Sequence, residues 1–96
     1  MERRALTILD PSGLHSRPAA RFVQVASRFQ SRVTVRHGDR AADAKSLIAL
    51  LGLTIRPGSE IALEAEGPDA PDAIASLTAE LAPFAALTTG TAVIES

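Results

Sequence analysis

The spacing of apolar residues changes repeatedly along this chain, and that change of period limits the possible folds more than any other feature. Apolar and polar side chains alternate at residues 6–8, 32–36 and 60–66, as they do in a strand with one buried face. A helical spacing of about three to four residues replaces this alternation at residues 18–29 and again at residues 74–81. Within 96 residues, the pattern predicts one small domain in which strands and helices are interleaved.

Turn and cap residues separate these segments and add two short elements. The turn at residues 37–39 leads into a weak strand at residues 40–44. Ser46 is predicted to cap a short helix at residues 47–51, which a glycine then ends. Asp69 is expected to cap the last helix in the same way. The predicted order of elements is therefore β-α-β-β-α-β-α.

Each predicted helix carries a single apolar stripe. The helices can bury these stripes together if they all lie on one face of a sheet. Hydrophobic residues make up 46% of the chain, which is enough for one core between two such layers. The expected fold class is therefore α+β, a two-layer open-faced β-sandwich in which three helices cover one face of an antiparallel sheet.

Composition excludes several classes of protein. The net charge of -1 gives no overall attraction to nucleic acid or to an anionic membrane. Without cysteine there is no disulfide or thiol chemistry, and two histidines alone make a structural zinc site unexpected. No apolar run is long enough to span a bilayer, and the N-terminus is not typical of a signal peptide. We therefore expect a cytoplasmic monomer that binds no metal and no nucleic acid and does not insert into a membrane.

The segment that points to chemistry is GLHSRPAA, residues 13–20. Pro18 suits the first turn of a helix, whose unpaired N–H groups would face His15 and any anion bound there. Either Ser16 caps this helix or His15 itself occupies the cap position. In both cases the positive end of the helix dipole favours a neutral ring, which can attack phosphorus, and stabilises the phosphoryl group once attached. Arg17 adds a planar guanidinium that can bind two phosphoryl oxygens.

This segment resembles the active-site segment of the HPr family, the histidine-containing phosphocarriers of the bacterial phosphoenolpyruvate-dependent sugar phosphotransferase system. The likeness continues through Lys45-Ser46-Leu47 to about Pro83 with similar spacing of elements. It implies a four-stranded antiparallel sheet of order 1-4-2-3, and it makes residues 1–84 the phosphocarrier domain. Residues 85–96 would then be a C-terminal extension, either a tail or a linker.

The resemblance also implies a reaction. Enzyme I, charged by phosphoenolpyruvate, would place a phosphoryl group on Nδ1 of His15, and the carrier would pass the group to sugar-specific enzyme IIA domains. Arg17 would stabilise the phosphohistidine, and the backbone N–H groups of Ser16 and Arg17 would face the phosphate. On this view the chain is a carrier with transient partners, it needs no cofactor or metal, and it does not turn over a substrate alone.

Two further features come from the resemblance. In some bacteria an ATP-dependent serine kinase/phosphorylase acts on the serine that matches Ser46, although a cap role already explains a serine here. Partners would dock on an apolar centre rimmed by Arg17, Arg21 and either Lys45 or Arg28. The predicted docking surface consists of Ala20, Arg21, Gln24, Leu47, Ile48 and Leu51.

Two other functions remain open from the sequence. One is an HPr-like paralogue in a nitrogen-regulatory or other phosphorelay, with the same chemistry and a different readout. The other is a regulatory binding module of the same fold that carries no phosphate, although the presence of both His15 and Arg17 argues against it. Uptake of phosphate at His15 would separate this last alternative from the two carriers.

Overall fold

The computed structural model, which describes residues 1–11 and 16–87, has an antiparallel sheet with three helices packed on one face. The strands are β1 (Glu2–Ile8), β2 (Arg32–His37), β3 (Arg40–Asp43), β4 (Glu60–Glu66) and β5 (Ala85–Leu87). The helices are α1 (Ser16–Ala26), α2 (Leu47–Leu51) and α3 (Ala70–Leu81). The predicted α+β class is confirmed. None of the helices in the described part of the chain has the length and apolar character needed to cross a membrane.

The sheet has the order β3-β2-β4-β1-β5. Its first four strands show the expected order 1-4-2-3, read from the other edge, but the expected number of strands was wrong by one. The additional strand β5 pairs antiparallel with the end of β1, with Leu87 opposite Leu6 and Ala85 opposite Ile8. Three residues are too few for an alternating pattern to show, so only pairing with β1 reveals this strand. The first residues of the predicted extension thus join the sheet, whereas the tail or linker role of residues 88–96 lies outside the described residues.

The core lies between the sheet and the helices. Ile61, Leu63 and Ala65 of β4 point into it and are almost completely buried, as the alternating sequence predicts. Phe22 of α1 and Leu77 of α3 belong to the same buried cluster. The apolar stripes of the two long helices therefore meet one face of the sheet.

The opposite face of the sheet is polar and carries ion pairs across three strands. Glu64 of β4 contacts Arg3 of β1, with 3.1 Å between Oε2 and Nη1, and Arg36 of β2, with 2.8 Å between Oε1 and Nε. The Glu64 side chain is only 11% exposed, because the two arginines lie on either side of it. Such cross-strand pairs stabilise the sheet modestly and keep this face hydrated.

Asp69 occupies the N-cap position of α3, but its side chain does not cap the helix as predicted. Its two carboxylate oxygens instead accept hydrogen bonds from the backbone N–H groups of Ser31 and Gln30, each at 2.9 Å. The buried Ser31 hydroxyl also donates to the carboxylate. At Gly67, where φ is +146°, a Cβ would lie only 2.7 Å from Ser31, so this close approach requires glycine. The cluster joins the start of β2 to the start of α3.

This cluster predicts a pH-dependent contribution to stability. The hydrogen bond from the Ser31 hydroxyl, and then that from the Gln30 N–H, hold the pKa of Asp69 below its ordinary value of 3.8. Because the folded-state pKa is the lower one, the stabilisation is present above pH 3.8 and is lost as the pH falls through the folded-state pKa. Asp69→Asn should therefore lower the melting temperature at neutral pH, and the difference from wild type should shrink as the pH falls below 3.8.

Thermal unfolding of both proteins across this pH range measures the effect. Asp72→Asn is the matched control, because Asp72 is an exposed carboxylate in the first turn of the same helix. It should lower the melting temperature at neutral pH less than Asp69→Asn does. Equal melting temperatures of the two variants at neutral pH would contradict the proposed role of the cluster.

Candidate functional site

The reactive segment predicted from sequence leads into the N-terminus of α1. Ser16 is the first residue of this helix, and Ser16 and Arg17 are exposed. Pro18 is buried in the first turn, where its missing N–H costs no helical hydrogen bond. Because the first N–H groups of a helix have no partner within it, this exposed cationic end suits an anion. His15 lies outside the described residues, so its role stays a prediction.

Hydrogen bonds to the residues that immediately precede β4 and β5 hold the chain just before this segment. On one side, the N–H of Ile8 donates to the carbonyl of Ser59 at 2.9 Å. On the other side, the N–H groups of Leu9 and Asp10 both donate to the carbonyl of Phe84, at 2.7 and 3.1 Å. The C-terminal strand β5, which follows Phe84, therefore helps to fix the point at which the chain leaves β1.

The predicted docking surface lies on α1 and α2, which contact each other. On α2 the side chain of Ile48 is 86% exposed and that of Leu51 is 38% exposed, whereas Leu50 between them is buried in the core. The other four members are the exposed Arg21 and Gln24 and the half-buried Ala20 and Leu47. The structure thus brings the predicted residues onto two adjoining helices, with an exposed apolar side chain among them.

Ser46 caps α2 as predicted. Its extended backbone and its Oγ, which accepts the N–H of Ala49 at 3.2 Å, have the geometry of an N-cap. Its own N–H donates to the carbonyl of Asp43 at 3.0 Å. The side chain is half-buried and already serves the helix, so phosphorylation of Ser46 stays a prediction.

Two of the cations expected to rim the docking surface are engaged within the protein. The Nε of Arg21 lies 3.2 Å from Oε2 of Glu80 on α3. The Nζ of Lys45 donates at 2.8 Å to a backbone carbonyl just beyond the end of α1. Arg17 and Arg28 are exposed, and neither makes an ion pair with another residue that the structure describes. The carboxylate of Glu80 therefore makes the rim less positive at Arg21 than the sequence suggests, whereas Lys45 keeps its charge but is fixed in position.

Sequence reasoning did not identify Glu80 or Phe84. The helical pattern places Glu80 outside the core, but its partner is fixed by the packing of α1 against α3, which no local pattern encodes. Phe84 acts through its backbone carbonyl. No side-chain signal could have identified that contact.

Comparison with known proteins agrees with this geometry. The family model for the PTS HPr component phosphorylation site matches residues 2–82. The phosphocarrier protein HPr of Lysinibacillus sphaericus is 38% identical over 84 residues, which are 84% of this chain and 96% of that protein. A solved histidine-containing phosphocarrier protein of Mycoplasma superposes with a TM-score of 0.82 at 31% identity, covering 83% of this chain and 91% of that one.

A longer relative shares the same segment. The multiphosphoryl transfer protein of Xanthomonas campestris pv. campestris is 51% identical over 78 residues, which are 81% of this chain. The match spans only 9% of the length of that protein. Because the family model covers most of the sequence and the fold agrees with that of a solved phosphocarrier, this chain belongs to the HPr family of phosphotransferase-system phosphocarriers.

Proposed function

We propose that this protein accepts a phosphoryl group on His15 from Enzyme I charged by phosphoenolpyruvate and passes it to enzyme IIA domains. The observation that carries the proposal is the exposed N-terminus of α1, with Arg17 in its first turn, inside the region matched by the family's phosphorylation-site model. The chain has one other histidine. That residue, His37, is the last residue of β2, and its Nδ1 lies 3.1 Å from the carbonyl of Leu53. This contact gives His37 a structural role.

The proposed chemistry needs a neutral His15 ring close to the positive end of a helix. The lone pair of Nδ1 on His15 attacks phosphorus, the bond between phosphorus and the donor's leaving atom breaks, and the ring carries the phosphoryl group. The guanidinium of Arg17 and the first N–H groups of α1 stabilise the phosphoryl oxygens. Transfer to an acceptor reverses these bond changes, so the carrier returns to its starting state without a cofactor of its own.

The longer relative favours a second candidate, a carrier in a phosphorelay other than the one for sugar uptake. The name of that relative indicates several phosphoryl transfers, and the 51% identity to part of it fits the same carrier chemistry in such a relay. The distinction lies in the acceptor. Incubation of the phosphorylated protein with enzyme IIA domains of sugar and of nitrogen-regulatory systems, followed by measurement of label transfer, identifies the relay that it serves.

The first test concerns the phosphoryl acceptor. Incubation with Enzyme I and radiolabelled phosphoenolpyruvate should label the wild-type protein, and acid should release the label because the nitrogen of a phosphoramidate protonates and leaves. His15→Ala should take no label. The control His37→Gln removes the other histidine and should be labelled like wild type. Acid-labile labelling of His15→Ala would show that the acceptor is elsewhere.

A second test concerns Arg17. Removal of a charge-assisted contact worth about 1.5–3 kcal/mol in Arg17→Ala should slow phosphoryl transfer roughly ten- to a hundredfold. The free energy of unfolding should change by no more than about 0.5 kcal/mol, because the side chain is exposed. The control Arg32→Ala removes an exposed arginine from the sheet face opposite the helices and should leave transfer unchanged. Equal transfer rates for the two variants would refute the role of Arg17.

A third test separates the structural role of Ser46 from the effect of a charge. Ser46→Asp keeps an N-cap and adds a negative charge beside Leu47 and Ile48, so the melting temperature should hold or rise. Docking of an acidic-rimmed Enzyme I should weaken, and phosphoryl transfer should slow at low salt and recover as salt screens the charge over about 10 Å. The neutral cap variant Ser46→Asn should transfer like wild type. Normal transfer by Ser46→Asp at low salt would place docking elsewhere.

A further inference from the structure

We propose that Glu80, at the edge of the docking surface, is a specificity-determining residue. By pairing with Arg21, it lowers the positive charge of that surface and favours partners with an apolar contact surface over partners with a strongly acidic rim. The inference rests on the proposed function, in which Enzyme I docks through α1 and α2. The helix α3 contributes no member of the docking surface. On this proposal it nevertheless influences which partner binds there.

The geometry places an acidic side chain at the edge of a surface that is expected to meet anions. α1 packs against α3, and Nε of Arg21 lies 3.2 Å from Oε2 of Glu80. The Arg21 side chain remains 58% exposed, whereas the Glu80 side chain is 26% exposed. A partner can therefore reach the guanidinium, but it meets an arginine whose charge is already balanced by a neighbouring carboxylate.

The remaining charges of the rim are unevenly placed. Gln24, the other polar member of the docking surface on α1, is neutral, and Lys45 keeps its charge but is held by a backbone carbonyl just beyond the end of α1, near the exposed Arg28. Arg17 at the start of α1 remains free of ion pairs within the described residues, and Ile48 is the most exposed apolar member of the surface. The surface thus combines an apolar contact with positive charge near the two ends of α1, at Arg17 and Arg28, and with a balanced charge between them at Arg21.

The ion pair of Arg21 with Glu80 is expected to contribute little to the stability of the fold. The Arg21 side of the pair is 58% exposed, and ion pairs open to solvent contribute little to the free energy of folding, because water and salt screen the attraction and ordering two long side chains costs entropy. Charges at the rim of an interface act mainly on the rate of association and on its dependence on salt. A carboxylate within contact distance of a rim arginine is therefore placed where it changes association with a charged partner more than it changes the fold.

The test is Glu80→Gln, which frees Arg21 without changing the size of the side chain. At low ionic strength the rate of phosphoryl uptake from limiting Enzyme I should rise about two- to fivefold, and the gain should disappear at high salt. The melting temperature should fall by no more than about 4 °C. Glu66→Gln is the matched control, because it changes the net charge equally at an exposed site on the opposite sheet face.

A double variant locates the effect. Arg21→Gln combined with Glu80→Gln should lose the gain seen in Glu80→Gln alone, because the freed guanidinium is its cause. If wild type is labelled but Glu80→Gln and Glu66→Gln behave alike at low salt, the role of Glu80 is overturned and the proposed function stands. If Enzyme I does not label wild type at all, the proposed function fails, and this inference fails with it.

Discussion

The register of β4 is the constraint on which the rest of the structure depends. β4 pairs with β1 on one side and β2 on the other, so its alternation decides which face of three strands is buried. In this register Leu63 lies opposite Val35 of β2, and Ile61 lies opposite Leu6 of β1. A shift of one residue would turn the glutamates of β4 toward α1 and α3 and expose its apolar residues. The burial of α1, whose N-terminus forms the candidate site, requires this one alignment.

Features that depend on neighbouring residues in the chain could be predicted from the sequence, whereas contacts between distant segments could not. The order of the first seven elements, the burial of Ile61, Leu63 and Ala65 in β4 and the Ser46 cap all follow from periods or short-range hydrogen bonds, and the structure confirms them. Asp69 was expected to cap α3, yet its carboxylate binds Ser31, 38 residues earlier in the chain. The carboxylate oxygens of Asp69 could accept hydrogen bonds either from the first turn of α3 or from another segment. The approach of β2 to α3 determines which of the two forms.

The same division applies to the candidate site. The exposure of Arg17 could be anticipated, because it lies on the polar face predicted for α1. For α2 the sequence predicts only that a short, wholly apolar helix leaves some side chains exposed, and the structure identifies Ile48 as the most exposed of them. The ion pair of Arg21 with Glu80 could not, since it joins two helices that are far apart in sequence. Local patterns therefore predict the chemistry of the site, whereas its electrostatic setting depends on how the helices pack.

The ion-paired sheet face has a consequence for the way a carrier handles two partners. Arg3, Glu64 and Arg36 satisfy one another across the sheet, so that side of the molecule is adapted to water. Under the proposed function, donor and acceptor must then compete for the single two-helix surface on the other side. The protein would then work as a shuttle and not as a bridge, because two partners could not occupy that surface at the same time. The throughput of such a relay is limited by how quickly each partner is released, which favours brief residence over tight binding.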